Sequence, residues 1–81
     1  MKIDVLLFGP QAEIVGANMV SVELDAPATA VAVIHALKEV APMLGPSLAS
    51  SRLAINHAYA MDTDELSVND EVALIGMVSG G

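Results

Sequence analysis

The sequence contains no cysteine, and its only basic residues are Lys2, Lys38 and Arg52. Without cysteine there is no disulfide framework, no redox dithiol and no thiolate metal site, and no side chain can carry a thiol or a persulfide. Three cations against ten Asp and Glu residues give a formal net charge of −7. This balance argues against nucleic acid and anionic membrane surfaces as partners, because both require clustered basic residues. A basic partner surface is the natural complement.

Aromatic residues and long apolar runs are also scarce. Phe8 and Tyr59 are the only aromatic side chains, too few for a platform on which bases stack. Lys2 and Asp4 interrupt the first apolar segment, so we predict neither a signal peptide nor a membrane span and expect a cytoplasmic protein. Yet 54% of the 81 residues are hydrophobic. Because so small a domain cannot bury all of that surface, we expect an exposed apolar patch that contacts a partner.

The first part of the chain reads as an antiparallel hairpin. Apolar residues alternate in residues 2–8 and again in residues 19–24, which is typical of strands with one buried face. Gly9-Pro10 ends the first run, and we interpret residues 11–18 as a turn or short loop.

A helix is predicted over residues 30–41. Thr29 is the expected N-cap, and Pro42 cannot continue the helix. Its apolar stripe is predicted to comprise Val33, Ile34, Leu37, Val40 and Ala41. The remaining segments are predicted to be a loop with one 3₁₀ turn (43–51), a strand (52–56), its hairpin partner (57–60), an acidic loop (61–69) and a last strand (71–75).

This order predicts an α+β domain in which a mixed sheet packs on one main helix. The first and last strands are the most apolar, so we place them side by side at the centre of the sheet. The residues expected to face the helix are Ile3, Val5, Leu7, Val72 and Leu74. The opposite parity then places Leu6, Phe8 and Ile75 on the outer face, where we interpret them as a docking surface rather than as scattered surface hydrophobes.

Other polar residues suggest no catalytic or metal site. His35 and His57 are isolated and make no ligand set. The acidic residues of segment 61–69 lack the glycine and the terminal glutamate of a calcium loop, so we interpret them as solvated. Asn56 is interpreted as a turn residue rather than as a contact at the rim of an interface. We predict no metal and no permanently bound cofactor.

The sequence ends in Val78-Ser79-Gly80-Gly81, and we expect Gly81 to be the natural C-terminus. Its carboxylate is an anion at neutral pH and a poor electrophile, but an enzyme can activate it as an acyl-phosphate anhydride. Two residues without Cβ atoms can follow a narrow channel. The alternative is a frayed end without a function. An extended segment 77–81 would reach at most about 17 Å, enough to enter a pocket beside a docked domain.

The whole chain resembles the ubiquitin-like β-grasp sulfur carriers, and among them the small subunits of molybdopterin synthase. The matching stretches are residues 5–8, 13–16, 53–56, 69–73 and the terminal Val78-Ser79-Gly80-Gly81. The chain departs from that pattern at Ala12, where a basic residue is usual, and at Gly76-Met77, where two prolines are usual. Leu74 and Ile75 stand where aromatic residues are common.

The resemblance implies a β-grasp domain (1–76) with a flexible Gly-Gly tail (77–81). An activating enzyme of the ubiquitin-activating type would use ATP to adenylate Gly81, and a sulfur donor would convert the adenylate to a thiocarboxylate. Met77, Val78, Ser79 and Gly80 would thread into the large synthase subunit, and the sulfur would pass to a pterin precursor of molybdopterin. The carrier would not be an enzyme alone.

Two alternatives to this role stay open. Within the same fold, the chain could be a carrier for thiamine or tungsten-cofactor assembly, or a conjugated modifier. Outside the chemistry of carriers, it could be an interaction domain whose Gly-Gly end has no role.

Overall fold

The computed structural model describes residues 1–76, so every prediction about Met77, Val78, Ser79, Gly80 and Gly81 lies outside the described residues. Seven strands and three α-helices follow one another in this part of the chain. They are β1 (Lys2–Leu6), α1 (Gly9–Val15), β2 (Met19–Glu23), β3 (Ala28–Thr29), α2 (Ala30–Val40), α3 (Gly45–Leu48), β4 (Ser51–Ile55), β5 (Ala58–Tyr59), β6 (Glu65–Leu66) and β7 (Val72–Gly76).

Five strands form one mixed sheet in the order β2-β1-β7-β4-β5. β1 and β2 make the predicted antiparallel hairpin, in which Ile3 pairs with Val22. β7 runs parallel to β1 and antiparallel to β4. The first and last strands therefore lie side by side in the interior of the sheet, and the predicted α+β class is confirmed. The predicted hairpin of β4 and β5 is confirmed, and β5 lies at the edge of the sheet.

One face of this sheet packs against α2 and forms the core. All five residues predicted to point inward are buried. The buried cluster consists of Ile3, Val5, Leu7, Val22, Ala30, Val33, Leu37, Ala41, Leu44, Leu48, Leu53, Ala60, Leu66, Val72 and Leu74. The cluster members in residues 2–8 and 71–75 were predicted from strand parity alone, because successive side chains of a strand point to opposite faces.

The prediction of a loop at residues 11–18 is wrong, because α1 occupies most of it. Gly9 has φ +52°, a conformation that glycine adopts without strain. Pro10 then stands in the first turn of the helix, where a missing N–H costs nothing. Gly16 ends the helix with φ +81°, and its N–H donates to the Ala12 carbonyl oxygen at 2.8 Å. Gly9 and Pro10 thus begin a short helix whose N-cap is Phe8, and Gly16 is its C-cap.

α2 is the main helix, and the predicted N-cap is confirmed. The Thr29 hydroxyl accepts a hydrogen bond from the Ala32 N–H at 3.4 Å. The N–H groups of Ala30 and Val31 donate to the carbonyl oxygens of Asp64 and Asp62. The first turn therefore satisfies its donors with one side chain and two carbonyl groups of the acidic loop.

The predicted stripe of α2 is correct for Val33, Leu37 and Ala41, which are buried, while Ile34 is half-buried. Val40 is 56% exposed, so its assignment to the core is wrong. Val40 is the last helical residue, and the chain leaves the helix at Ala41 with φ −133° and ψ 70°. The turn carries Ala41 rather than Val40 into the core.

Two predicted loops also contain regular structure. Segment 43–51 carries the expected 3₁₀ turn (Pro42–Leu44) but also α3, and each contributes one buried leucine. Segment 61–69 contains β6, which pairs antiparallel with β3 and buries Leu66. Strands of two residues carry too little alternation to be detected in the sequence. Within residues 1–76, no helix combines the length and the apolar character that crossing a membrane requires.

Candidate functional site

The outer face of the sheet carries an apolar row that crosses all five strands. Met19 pairs with Leu6, Leu6 with Ala73, Ala73 with Ala54, and Ala54 with Tyr59. Residues that are partners across neighbouring strands point to the same side of a sheet. The row therefore places two small alanines in the middle and larger side chains at both ends.

A groove of about 290 Å³ lies over these alanines, and we call it the sheet groove. Ala54, Ala73 and Ile75 line its floor. Phe8 and Tyr59 are its two aromatic lining residues. Phe8 is 55% exposed and Tyr59 is 53% exposed. Two half-exposed aromatic rings around small residues form a recess that can receive an apolar side chain of a partner.

Charged groups surround the sheet groove. The Nε2 atom of His57 lies 3.3 Å from a carboxylate oxygen of Glu71, and both side chains line the groove. The guanidinium carbon of Arg52 lies 5.1 Å from the centre of the Tyr59 ring, a cation–π arrangement. The recess is thus apolar at its centre and polar at its edge, which is the usual anatomy of a protein interface.

A turn with two residues in the left-handed backbone conformation places the His57 side chain at this edge. Asn56 has φ +52° and His57 has φ +71°, and together they form the turn between β4 and β5. The Asn56 side chain donates to an Asp70 carboxylate oxygen at 2.9 Å and accepts from the Glu71 N–H at 2.9 Å. Asparagine tolerates this backbone region better than most residues, so the interpretation of Asn56 as a turn residue is confirmed.

Asp70 closes the same network from the neighbouring turn. Its second carboxylate oxygen accepts from the Ser67 N–H at 2.7 Å. The bonds from Ser67 and Asn56 favour the ionised carboxylate and lower the pKa of Asp70 below its ordinary value. The charge of Asp70 therefore helps to hold the turn that carries His57.

A second groove, of about 390 Å³, lies where β7 ends, and we call it the exit groove. Phe8 and Ile75 line both grooves. The other lining residues of the exit groove are Gly9, Pro10, Gln11, Ser47, Ser50, Ser51 and Gly76. Phe8 and Ile75 thus connect the apolar outer face to a groove at the end of β7 that Gln11 and three serines also line.

A family model described as "ThiS family" matches residues 5–81, which is nearly the whole chain and includes Gly80-Gly81. The chain belongs to the ThiS family.

This ThiS-family chain is similar over nearly its full length to several known proteins. It is 32% identical to the molybdopterin synthase sulfur carrier subunit of Dictyostelium discoideum, across 99% of this chain and 96% of that protein. It is 27% identical to SAMP1 from Haloferax volcanii, with a TM-score of 0.84 and full coverage of both chains. A chain from the complex of subunits 1 and 2 of the Helicobacter pylori molybdopterin-converting factor has 21% identity and a TM-score of 0.66, again over both full chains. The predicted resemblance and the β-grasp fold are confirmed.

The structure brings the three predicted docking residues of this ThiS-family member to one region. Phe8 is exposed, Ile75 is half-buried, and both line the sheet groove. Leu6 is half-buried and lies beside the groove through its pairing with Ala73. Their role in docking stays a prediction.

Sequence reasoning missed Tyr59, Ala54 and Ala73. Ala54 and Ala73 follow or precede the buried Leu53 and Leu74 in their strands, so strand alternation puts them on the other face of the sheet. This signal could have identified them. Tyr59 could not be placed, because β5 has only two residues. Among residues 1–76, no group of three His, Asp or Glu side chains is arranged to hold a metal ion.

Proposed function

We propose that this protein is a sulfur carrier of molybdopterin biosynthesis, in which the C-terminal carboxylate of Gly81 is the reacting group. The observation that carries the proposal is the family match, which extends through Gly80-Gly81. The relative from Dictyostelium discoideum, named as a sulfur carrier subunit of molybdopterin synthase, supports the pathway. The absence of cysteine supports the site, because no side chain of the chain can hold the sulfur instead.

Each step of the chemistry balances with ATP and a sulfur donor. The Gly81 carboxylate attacks the α-phosphate of ATP, which gives an acyl-adenylate and releases pyrophosphate. A hydrosulfide equivalent then displaces AMP and leaves a thiocarboxylate. During transfer the thiocarboxylate sulfur attacks a carbon of the pterin precursor and displaces an oxygen substituent from it. Water then cleaves the bond between the sulfur and the Gly81 carbonyl carbon, which restores the carboxylate and leaves the sulfur on the pterin. The catalytic groups belong to the partners, and the chain supplies the donor and the surface that docks it.

Docking is proposed on the outer face of the sheet, through Leu6, Phe8 and Ile75 together with Tyr59. The complex of subunits 1 and 2 from Helicobacter pylori supports the large synthase subunit as one partner. The activating enzyme is the other, and both would approach a domain of net charge −7. We therefore expect partner surfaces that combine an apolar side chain for the sheet groove with basic residues near Glu71.

Intact-mass measurement tests the reaction. The protein is incubated with ATP, the adenylating enzyme of the same organism and sodium sulfide. Conversion to the thiocarboxylate adds about 16 Da, the difference between sulfur and oxygen. A variant that lacks Gly81 is the matched control, and it should retain the unfolding temperature of the full chain but gain no mass. A full chain that gains no mass, or a truncated chain that gains it, contradicts the proposal.

The similarity to SAMP1 supports a second candidate, a protein modifier. A second solved structure from Haloferax volcanii is described as small archaeal modifier protein 1. The same acyl-adenylate of Gly81 would then pass to a lysine amine of a target and form an isopeptide bond. Denaturing gels of cells that express an epitope-labelled chain decide between the two. Larger adducts that vanish with the deletion of Gly81 favour the modifier, and sulfur transfer to the purified synthase subunit favours the carrier.

Thiamine and tungsten-cofactor assembly remain alternative destinations for the sulfur. The discriminating measurement is which purified acceptor system consumes the thiocarboxylate of this chain. Loss of the added mass in the presence of the large molybdopterin synthase subunit and its pterin precursor supports the molybdopterin pathway.

A further inference from the structure

Arg52 lies beside the sheet groove without a carboxylate partner among residues 1–76. It is exposed on β4, and its cross-strand partner is Ile75, which lines both grooves. The next residue, Leu53, is buried, so alternation places the Arg52 side chain on the outer face of the sheet. Neither of the ion pairs within residues 1–76 includes Arg52. This part of the chain therefore leaves the charge of the guanidinium uncompensated at short range.

The Tyr59 ring gives this long side chain a defined position. The guanidinium carbon of Arg52 lies 5.1 Å from the centre of the ring, within the range in which a cation is attracted to an aromatic face. Tyr59 itself lines the sheet groove. A side chain that is already held loses less conformational entropy when it binds a partner. The guanidinium thus stands at the rim of the groove before any partner arrives.

The carboxylates near the groove lie at its other end. Glu71 directly precedes β7, whereas Arg52 is opposite Ile75, four residues later in that strand. This separation is about 13 Å along an extended strand. Asp4 lies at the same end as Glu71, because the residues that follow these two are paired between the parallel strands β1 and β7. The outer face is therefore negative at one end of the groove and positive at the other.

The two lysines do not share the position of Arg52. Lys38 is exposed on α2, which packs against the inner face of the sheet. Lys2 begins β1 and is paired with Glu23 on the edge strand β2. In a chain of net charge −7, an exposed arginine among the docking residues works against the general attraction to a basic partner. A specific local contact accounts for it better than net charge does.

We propose that Arg52 is a specificity-determining residue of the docking surface, which pairs with a carboxylate of the large synthase subunit beside the apolar side chain that enters the sheet groove. The planar guanidinium can donate two parallel hydrogen bonds to such a carboxylate. Glu71, at the other end, accepts a basic side chain of the same partner. Because the two ends carry opposite charges, only one orientation of the partner satisfies both. This inference rests on the proposed function, which supplies the partner.

Charge reversals test the pairing, with binding to the purified large synthase subunit measured by calorimetric titration. Arg52→Glu should raise Kd by about tenfold or more, because the carboxylate of the partner would then face a like charge. Lys38→Glu is the matched control. It makes the chain more negative by the same amount on the other side of the domain, so Kd should fall or change by less than about twofold.

Glu71→Arg changes the net charge in the opposite direction. It should nevertheless raise Kd by about threefold or more, because a basic side chain of the partner would meet a like charge. Long-range attraction alone predicts effects of opposite sign for Arg52→Glu and Glu71→Arg. Two local contacts predict weaker binding in both, and a Kd that falls in either variant overturns the proposed orientation.

Two further substitutions separate the charge of Arg52 from its packing. Arg52→Lys keeps the charge but loses the planar fork, so Kd should rise by about 2- to 4-fold. Arg52→Met keeps an unbranched apolar stem and should raise Kd by about fivefold or more, since the partner's carboxylate loses its cation. The unfolding temperature of every Arg52 variant should stay within about 3 °C of the unmodified chain, because the side chain is exposed.

The outcomes distinguish this proposal from the proposed function. If the unmodified chain binds the large subunit and Arg52→Glu binds it equally well, Arg52 has no part in docking, while the sulfur-carrier role stands. Equal losses in Arg52→Glu and Lys38→Glu would show that only net charge matters and would overturn the pairing. If the unmodified chain does not bind the large subunit at all, the proposed function loses its partner, and the pairing fails with it.

Discussion

The two faces of the sheet are built from the same strands but differ in what they hold. On the inner face, Val5, Val72 and Leu74 are at most 1% exposed and belong to the same buried cluster as Val33 and Leu37 of α2. On the outer face, Ala54 and Ala73 leave a recess between Phe8 and Tyr59. The inner face is filled by side chains of residues 1–76, whereas on the outer face these residues leave room for a side chain of a partner. The comparison separates residues that stabilise the fold from residues available for recognition.

The largest expected effect belongs to the inner face. Leu37→Ala removes a side chain that is fully buried in the core. We expect the free energy of unfolding to fall by about 2–5 kcal/mol, because the change leaves a cavity as well as losing burial. Urea denaturation followed by circular dichroism measures it. Val40→Ala is the matched control on the same helix and should change it by less than about 0.5 kcal/mol; equal losses in the two variants would contradict the comparison.

Phe8→Ala tests the outer face. Phe8 is as exposed as Val40, so we expect the stability to change by less than about 1 kcal/mol. Binding to the large synthase subunit should weaken by at least about tenfold, since aromatic residues dominate interface energies. Calorimetric titration gives the dissociation constant, with Val40→Ala as the control. Unchanged affinity would remove Phe8 from the docking surface.

Ala54→Leu sharpens the comparison by filling the recess instead of removing a contact. The new side chain would occupy the sheet groove between Phe8 and Tyr59. We expect binding to fall by about 3- to 10-fold, because an apolar side chain of the partner could no longer enter. The unfolding temperature should change little, since the outer face has space. Stronger binding by Ala54→Leu would show that the partner lies flat on the sheet.

The smallest effect concerns the turn beside the groove. The pKa of Asp70 is lowered in the folded protein by the bonds from Ser67 and Asn56. Its stabilising contribution is therefore complete above the unfolded-state pKa of about 3.9 and is lost as the pH falls through the lower folded-state pKa. Asp70→Asn removes the ionised carboxylate, so the variant should unfold at a lower temperature than the unmodified chain at neutral pH. This difference in unfolding temperature should shrink as the pH falls below about 4. A difference that is constant from pH 7 to pH 3 would contradict the assignment.

Much of the fold could be predicted from the sequence because its signals are local. Alternation in residues 2–8 and 71–75 identified two strands and the face that each buries, and Thr29 and Pro42 marked the limits of α2. The helix at Gly9–Val15 was missed because the glycine and proline of its first turn and the glycine at its C-cap have the composition of a loop. The pairing of β3 with β6 was missed because two-residue strands carry no periodicity.

For the candidate site, the absence of cysteine and the terminal Gly-Gly pair indicated the carboxylate of Gly81 as the candidate reacting group. Strand parity predicted that Leu6, Phe8 and Ile75 lie on one face. Only the tertiary structure brought Tyr59 to the far side of the alanines. It also placed the Gln11 amide on Ser47 and Ser51, which are 36 and 40 residues away in the chain. Side-chain period is a property of neighbouring residues, whereas contacts between distant segments depend on how helices and strands pack, so a sequence shows the first and folding decides the second.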